Sequence, residues 1–265
     1  MRKRGFYDPI LFEGTANHYT YRPPYPEALF DYVVGSFGLN GKGRALDLGC
    51  GIGNLALPFA PYFEQVVCMD PDGEMLKAAR QQAQRTSVDN LAFEQGSSWD
   101  LSVDMGTFRL VTMGESFHWM DRDELLRKLD DLVDGDGGLV IAWKKIKGPE
   151  GYQQVVDKVV RKFLGGKRRA GQGYYEHPQD PHETVLSCSP FAQTESWQAE
   201  YSLEWSINHI IGFLYSTSYA NKRLLGDQVD NFEKTLREKL QEINDTGIFN
   251  FRIETEALLG RRADR

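Results

Sequence analysis

The sequence predicts an α/β fold whose seven-stranded, mostly parallel sheet carries an antiparallel hairpin at its edge. Up to residue 143, short apolar segments alternate with segments rich in helix-forming residues, at the spacing of βαβ units. The first apolar segment runs directly into a glycine-rich turn. Near the C-terminus, two longer segments alternate apolar and polar residues, as strands with one covered face do. We therefore expect five parallel strands followed by two edge strands.

The first half of the chain supplies the parallel part of the sheet. Its predicted strands are at residues 43–49, 65–70, 91–95, 108–114 and 138–143. Its predicted helices are at residues 26–37, 53–63, 74–85 and 121–135. Pro58 constrains the second helix, because proline lacks the backbone N–H of a helix interior. Asp121 and Glu124 can form a capping box for the last helix, and Gly135 can end it.

After residue 143 the alternation changes. A helix is predicted at residues 151–164, before a loop rich in glycine, proline and charge. The remaining predicted elements are strands at residues 194–205 and 249–262 and helices at residues 207–224 and 228–243. We expect four units: a lid and first helix (1–40), an α/β core (41–143), a helical cap insertion (144–193), and the last strands with roof helices (194–265).

Composition and charge exclude several classes of protein. The chain has 265 residues and a net charge of −7, so a nucleic-acid partner is not expected, because phosphates bind clustered positive charge. It has no apolar run of the ~18 residues that span a membrane, and its start lacks the apolar part of a signal peptide. Three cysteines show neither metal spacing nor a disulfide framework, and His177 and His182 make a poor metal pair in a proline-rich loop. These features favour a cytoplasmic protein without a metal; self-association stays open.

The glycine-rich turn is the strongest functional signal. Gly49, Gly51 and Gly53 follow the first predicted strand, which contains Asp47, and Asp70 ends the next strand. In an open α/β sheet, ligands bind beyond the carboxyl ends of the strands. Glycines there let a ligand approach the backbone, and an acid after the second strand can accept two ribose hydroxyls. The turn therefore predicts a nucleoside-containing ligand, with a plain tight turn as the alternative.

These residues resemble a known family. "LDLGCGIGN" with "VVCMDPDGEML" looks like the cofactor site of class I S-adenosylmethionine (SAM)-dependent methyltransferases. "YRPPYPEALFDYV" and "SFHWMDRDELLRKLDDLVDGDGGLVIAW" resemble the ubiquinone/trans-aconitate-methyltransferase-like branch, which acts on small molecules. The resemblance covers about residues 15–143 well and 190–259 more loosely. It implies a Rossmann-like fold, SAM as cofactor and S-adenosylhomocysteine as product.

The resemblance also implies roles for individual residues. The three glycines and Cys50 would carry the cofactor against the backbone, Asp47 would orient their loop, and Asp70 would take the ribose hydroxyls. The other cofactor contacts it implies are Arg22 at the carboxylate, Pro71 and Met75 at the adenine, Ser97, Ser98 and Trp99 beside it, and Met113, Gly114 and Glu115 along the methionine part. The chain departs from the family at Ser97, where an acid is usual, and at Arg109, where aspartate is common.

The methyl acceptor is expected beside the fourth strand and under the late helices. Phe117, His118 and Trp119 follow that strand, and an aromatic wall suits a cationic sulfonium or amine. His118 could act as a general base, or merely donate a hydrogen bond or pack. In the roof, His209 and Tyr215 are candidate acceptor contacts.

The N-terminal segment is unusually aromatic. Tyr7, Tyr19 and Tyr21 could close over the methyl-transfer centre as a lid, which would exclude water once the cofactor binds. The alternative is a fixed strap that the neighbouring prolines hold against the domain.

Taken together, the sequence predicts a SAM-dependent methyltransferase acting on a small molecule. The aromatic wall and the single candidate base favour an amine nitrogen, in specialised-metabolite or antibiotic biosynthesis. Methylation of a hydroxyl or carboxylate oxygen is the alternative. A SAM-binding protein that transfers no methyl group and a nicotinamide-dependent oxidoreductase are more remote; Asp47 and the late hairpin argue against the latter.

Overall fold

One sheet of seven strands organises the computed structural model, which describes residues 10–167, 169–170, 173–174 and 180–263. Its strands are β1 (Arg44–Leu48), β2 (Gln65–Asp70), β3 (Leu91–Gln95), β4 (Phe108–Gly114), β5 (Val133–Lys147), β8 (Gln193–Ser206) and β9 (Ile248–Arg261). A separate two-residue hairpin consists of β6 (Arg169–Ala170) and β7 (Gly173–Tyr174). Tyr7 and His177 lie outside the described residues.

The order across the sheet is β3-β2-β1-β4-β5-β9-β8. The first five strands pair in parallel, and β9 pairs antiparallel with both β5 and β8. The predicted fold class is therefore confirmed, including the antiparallel edge. Strand order reverses between β1 and β4, and the carboxyl ends of both strands meet there, which is where such sheets bind ligands.

Nine α-helices accompany the strands in the described part of the chain. They are α1 (Glu27–Phe37), α2 (Ala56–Phe59), α3 (Gly73–Arg85), α4 (Arg122–Leu132), α5 (Tyr152–Leu164), α6 (His182–Ser187), α7 (Ile207–Tyr215), α8 (Lys222–Leu225) and α9 (Val229–Ile243). Short 3₁₀ helices at Ala16–Tyr21 and Phe117–Trp119 flank the site described below. None of the helices described is long and apolar enough to cross a membrane.

Two apolar layers cover the sheet and a third lies at its far end. Leu29 and Val33 of α1 and Phe59 of α2 share a core with one sheet face, while Leu125 and Leu129 of α4 share a core with the other. The third core joins α5, α7 and α9 to the outer ends of β8 and β9. The segments expected as cap and roof thus pack on each other above one end of the sheet.

Three predicted helix boundaries are wrong, each for a local reason. The helix expected at 53–63 begins only at Ala56, after the glycine turn, and tightens into a 3₁₀ turn after Pro58. The helix expected at 207–224 ends at Tyr215, and the side chain of Asn221 caps the separate α8. Gly135 does not end α4, because the chain passes directly from Leu132 into β5. Asp121 does cap α4, through the backbone N–H of Glu124.

Arg109, one of the departures from the family pattern, has a structural role. Its guanidinium donates to the carbonyl oxygens of Phe37 and Gly38 at the end of α1, and to Asn40 Oδ1. The free carbonyls at a helix C-terminus favour a positive charge. Arg109 therefore ties α1 to β4 at the end of the sheet opposite the ligand-binding edge.

Candidate functional site

A cleft of about 1000 Å³ opens at the carboxyl ends of β1, β2 and β4. The predicted cofactor residues that line it are Arg22, Asp47, Gly49, Cys50, Gly51, Asp70, Pro71, Met75, Ser97, Ser98, Trp99, Gly114 and Glu115. They lie at the carboxyl ends of β1, β2 and β4, in the turns after β1 to β4, at the start of α3 and in the segment before α1. Sequence reasoning thus located the cleft, because parallel strands bring their carboxyl ends to one edge.

The glycine turn forms the floor of this cleft. Gly49 and Gly51 have φ values of 72° and 54°, in the left-handed region. The backbone N–H groups of Gly49 and Cys50 both donate to the carbonyl of Met69, at 2.8 and 3.1 Å. A Cβ on Gly49 would lie 2.5 Å from Ser116 Cβ, and one on Gly51 would lie 3.3 Å from the Tyr19 ring. The turn is held so close to its neighbours that side chains are excluded.

Two buried carboxylates fix the turn from behind. Asp70 accepts hydrogen bonds from the backbone N–H groups of Gly51, at 2.8 Å, and Asp72, at 2.9 Å. Asp47 accepts from the Thr112 hydroxyl at 2.8 Å and from the Ala56 N–H at 3.1 Å. Burial raises the pKa of Asp47 to about 7 and that of Asp70 to about 6. Asp70 can still accept further hydrogen bonds on the second lone pair of each oxygen.

The raised pKa of Asp47 predicts a stability change with pH. Between its ordinary value of 3.8 and about 7, the native state holds a proton that the unfolded state has released. The stabilisation from Asp47 is therefore complete below pH 3.8 and is lost as the pH rises to about 7. In thermal melts, we expect the Tm of the wild type to fall relative to the Tm of Asp47→Asn as the pH rises over this range. A difference that does not change with pH would contradict the assignment.

The end of the cleft near β3 holds Ser97, where the family usually has an acid. The Ser97 hydroxyl donates to Asp100 at 2.9 Å, and its backbone N–H donates to the same oxygen at 2.8 Å. Trp99 is 42% exposed at the rim, and Lys128 lies over its ring. The carboxylate in this turn thus belongs to Asp100, which orients Ser97.

A charged cluster lies at the opposite end of the cleft, near β4 and β5. Arg22 donates to Glu115 Oε2 at 3.2 Å, and Lys144 Nζ lies 3.9 Å from the same oxygen. Arg22 also bonds the hydroxyl and carbonyl oxygen of Ser216 and stacks over the Tyr19 ring. Burial alone would raise the pKa of Glu115, but Lys144 and Arg22 lower it below its ordinary value. Glu115 therefore stays ionised and neutralises one of the two cations.

A second cavity of about 700 Å³ adjoins this cluster under the roof helix α7. Phe12, Arg22, Glu115, Trp119 and Lys144 line both the cleft and this cavity. The wall of the cavity alone is formed by Pro23, His118, Ile146, Phe213, Thr217, Ser218 and Tyr219. Four of its twelve lining residues are aromatic (Phe12, Trp119, Phe213 and Tyr219), and Arg22, Glu115 and Lys144 lie on the shared wall. The cleft and the cavity meet where a group could pass from one ligand to another.

The structure corrects the predicted direction of several side chains near β4. Phe117 is 1% exposed in the core and packs against His182, so it does not form the acceptor wall. The cause is the 3₁₀ turn, in which successive side chains point about 120° apart. His118 faces the second cavity, and Trp119 faces both the cavity and the cleft. Met113 is buried within the sheet core and lines neither.

Other predicted ligand contacts have structural partners instead. Tyr21 packs on Gly212 of α7, and its carbonyl bonds His209 Nε2 at 2.9 Å. Tyr215 donates to Glu233 at 2.8 Å. The Cβ position of Gly53 faces Leu57 at 3.3 Å, so this glycine turns the chain into α2 without lining the cleft. Tyr19 lines the cleft rather than the second cavity, and Tyr7 lies outside the described residues.

Sequence reasoning missed Lys144, Phe12 and Phe213. Lys144 ends the apolar run of β5, where a solvated lysine beside Lys145 is the usual interpretation. The alternation of side chains along β5 could have indicated its position, because it places Lys144 on the same sheet face as Ala142 and Ile146. Phe213 lies within a predicted roof helix, whose periodicity does not show which of its residues meet the cavity.

Comparison with known families gives one match. Residues 45–137 match a family described as "Methyltransferase domain". This segment runs from β1 into β5 and contains the glycine turn, Asp70 and Glu115.

Similar proteins extend the match only in part. The chain is 26% identical over 125 residues to "Probable S-adenosylmethionine-dependent methyltransferase CRG1" of Saccharomyces cerevisiae, which covers 46% of this chain and 43% of that protein. It is 30% identical over 99 residues to the uncharacterized methyltransferase YcgJ of Bacillus subtilis, which covers 37% of this chain and 39% of that protein. The chain thus spans about two fifths of the length of these two curated relatives.

Solved structures agree with the fold. The crystal structure of YcgJ superposes with a TM-score of 0.54 at 17% identity, covering 90% of this chain and all of that one. A phosphoethanolamine N-methyltransferase 2 from Haemonchus contortus, solved with phosphomonomethylethanolamine and S-adenosylhomocysteine, has a TM-score of 0.51 at 18% identity and covers 94% of this chain and 57% of that one.

Proposed function

We propose that this chain carries the cofactor-binding domain of a class I SAM-dependent methyltransferase and transfers the methyl group of SAM to the nitrogen of a small amine. The observation that carries the proposal is a cavity with four aromatic lining residues that meets the cofactor cleft at Glu115 and Trp119. Bound SAM supplies an electrophilic methyl group on a sulfonium. The protein must then orient the acceptor and exclude water.

The cleft fits this cofactor in shape and in chemistry. Gly49 and Gly51 line the cleft and carry no side chain that would separate a ligand from their backbone. We propose that Asp70 accepts the ribose hydroxyls, that Pro71, Met75 and Trp99 surround the adenine, and that Arg22 meets the carboxylate. Asp47 holds the turn through Thr112 and Ala56.

Two features of the second cavity and one fold neighbour support an amine acceptor. Phe12, Trp119, Phe213 and Tyr219 supply aromatic faces, which attract a cationic ammonium group. Glu115 contributes a carboxylate at the shared wall. One fold neighbour is an N-methyltransferase solved in complex with phosphomonomethylethanolamine and S-adenosylhomocysteine. We propose a product of specialised metabolism as the acceptor, such as an antibiotic intermediate, because the roof is built from late helices outside the matched domain.

A second candidate, methylation of oxygen, is favoured by a different observation. Arg22 and Lys144 share one carboxylate, which leaves a positive charge that would stabilise a phenolate or carboxylate acceptor. The two candidates differ in the acceptor atom and share the cofactor site.

Cofactor class is tested first by thermal shift. S-adenosylhomocysteine at a hundred times its Kd adds about 2.7 kcal/mol to the unfolding free energy. For a chain of this size we expect a rise in Tm of roughly 5–10 °C, and none with NAD. A shift with NAD alone would overturn the cofactor assignment and favour an oxidoreductase.

The acceptor is tested with SAM labelled in its methyl group. We expect label transfer to members of a panel of small alkylamines that bear an aromatic ring, and none to matched phenols and carboxylic acids. Trp119→Ala should raise the acceptor KM about tenfold while S-adenosylhomocysteine still binds. Transfer to the phenols or acids alone would replace the amine proposal with O-methylation, and binding without any transfer would favour a non-methylating role.

A further inference from the structure

Lys144 has an unusual environment for a lysine. Its side chain is 2% exposed, and its Nζ lies 3.5 Å from the centre of the Tyr25 ring. It is nonetheless directed at ligand space, because it lines both the cofactor cleft and the second cavity. The same side chain borders a wider groove along β5 and β9, together with Glu115 and His118. Lys144 thus places a buried amine at the junction of the two cavities, beside Glu115 and the Tyr25 ring.

The charged and titratable groups around Lys144 and its partner Glu115 come from three other segments. Glu115, after β4, lies 3.9 Å from Nζ but pairs more closely with Arg22, from the segment before α1. Tyr25 precedes α1 and Tyr201 lies on β8; burial raises the pKa of both, to about 12 for Tyr201, so both stay neutral. Two cations thus compete for one carboxylate. Burial lowers the pKa of Lys144 to about 8, with Glu115 opposing that change and Arg22 adding to it.

We propose that Lys144 is the group that accepts a proton from the methyl acceptor, a role that rests on the proposed function. In this step the neutral Nζ takes the proton of an acceptor ammonium and becomes Lys144 ammonium. The freed nitrogen lone pair forms the new C–N bond as the C–S bond breaks, with its electron pair remaining on sulfur. The methylated product leaves, and Lys144 returns its proton to solvent.

The positive charge of SAM favours this role, because it disfavours the protonated form of Lys144. SAM brings one positive charge into a cleft that already holds Arg22 and Lys144, whereas S-adenosylhomocysteine brings none at sulfur. A further positive charge disfavours the Lys144 ammonium. Lys144 therefore becomes neutral when SAM binds, at a pH where it is otherwise charged. His118, the proton acceptor proposed from the sequence, lines the second cavity but not the cleft, so it has less reason to respond to the cofactor.

Proton release on binding tests this without an acceptor. Calorimetric titrations at pH 7.5 in two buffers of different ionisation enthalpy give the protons released by SAM and by S-adenosylhomocysteine. We expect the wild type and the control variant Lys147→Met to release more protons on binding SAM than on binding S-adenosylhomocysteine. Lys147 is 58% exposed and pairs with Glu254 on the sheet surface, so it is a matched control. In Lys144→Met the two ligands should release equal amounts. Equal release in the wild type, or a difference that persists in Lys144→Met, would overturn the proposal.

Turnover of the methylated amine provides the second readout. At saturating SAM, we expect the wild-type kcat/KM for the amine to rise with pH and to level below pH 8, because bound SAM lowers the pKa of Lys144. Lys144→Met and Lys144→Arg should each lower kcat/KM at least a hundredfold and remove this rise. Arginine keeps the charge but cannot give up its proton. If Lys144→Arg kept activity within threefold of wild type, Lys144 would not be the proton acceptor, but the proposal of amine methylation would not be affected. If SAM released more protons than S-adenosylhomocysteine but no amine were methylated, the amine acceptor would be rejected. The proposal that Lys144 loses its proton when SAM binds would remain.

Discussion

Replacing Gly49 with alanine is expected to weaken S-adenosylhomocysteine binding by at least a hundredfold. The new Cβ would lie 2.5 Å from Ser116 Cβ, and the φ of 72° adds strain for any residue other than glycine. Ser116 cannot withdraw freely, because its hydroxyl donates to the Leu48 carbonyl at 2.7 Å. Left-handed backbone costs about 1–2 kcal/mol and an overpacked contact about 1–3 kcal/mol. The turn must therefore move away from the cleft floor, and calorimetric titration measures the loss.

A matched glycine separates this effect from a general loss of stability. Gly35 lies inside α1, and a Cβ there would meet no atom within 4 Å. Gly35→Ala should bind the ligand as wild type and unfold at the same or a slightly higher temperature, because alanine favours helix. Wild-type affinity in a folded Gly49→Ala variant would show that the glycine turn does not carry the ligand.

The cofactor end of the site was predictable because its information is local. The glycines, Asp47 and Asp70 lie within one βαβ unit, and the parallel pairing of β1 with β2 brings their carboxyl ends together. Short-range pattern, turn chemistry and strand order all point to the same edge of the sheet. The antiparallel edge was also readable, because β8 and β9 alternate along their length.

The acceptor end was not predictable, because it is assembled from distant segments. The second cavity combines Phe12, Trp119, Lys144 and Phe213, which lie in four separate parts of the chain. Tyr21 and Tyr215 show the opposite error: they looked like ligand contacts but pack within the roof. A sequence pattern gives the periodicity of a helix but not which face meets a cavity once a 3₁₀ turn or a helix break intervenes. Residue type alone therefore misplaced half of the aromatic candidates.

Glu115→Gln is expected to destabilise the protein by about 2–3 kcal/mol at neutral pH. The carboxylate pairs with Arg22 and Lys144, whose side chains are only 16% and 2% exposed. Removing the shared partner leaves two cations in a poorly solvated site, and breaking a buried pair in this way costs about 3–5 kcal/mol. The lower value is expected here because Glu115 is 25% exposed. Urea unfolding at pH 7 measures the difference.

The pH dependence of this variant identifies Lys144 as the group left unpaired. Its native pKa, about 8 in the wild type, lies below its ordinary value of 10.5, so stability increases as the pH rises through that interval. Without Glu115 the native pKa falls further, and the increase should begin at lower pH. We therefore expect Glu115→Gln to recover part of its lost stability between pH 6 and 8, whereas Glu242→Gln, on the exposed surface of α9, should match wild type at every pH. A destabilisation that is constant with pH would mean that Glu115 acts through packing, with Arg22 and Lys144 indifferent to its charge.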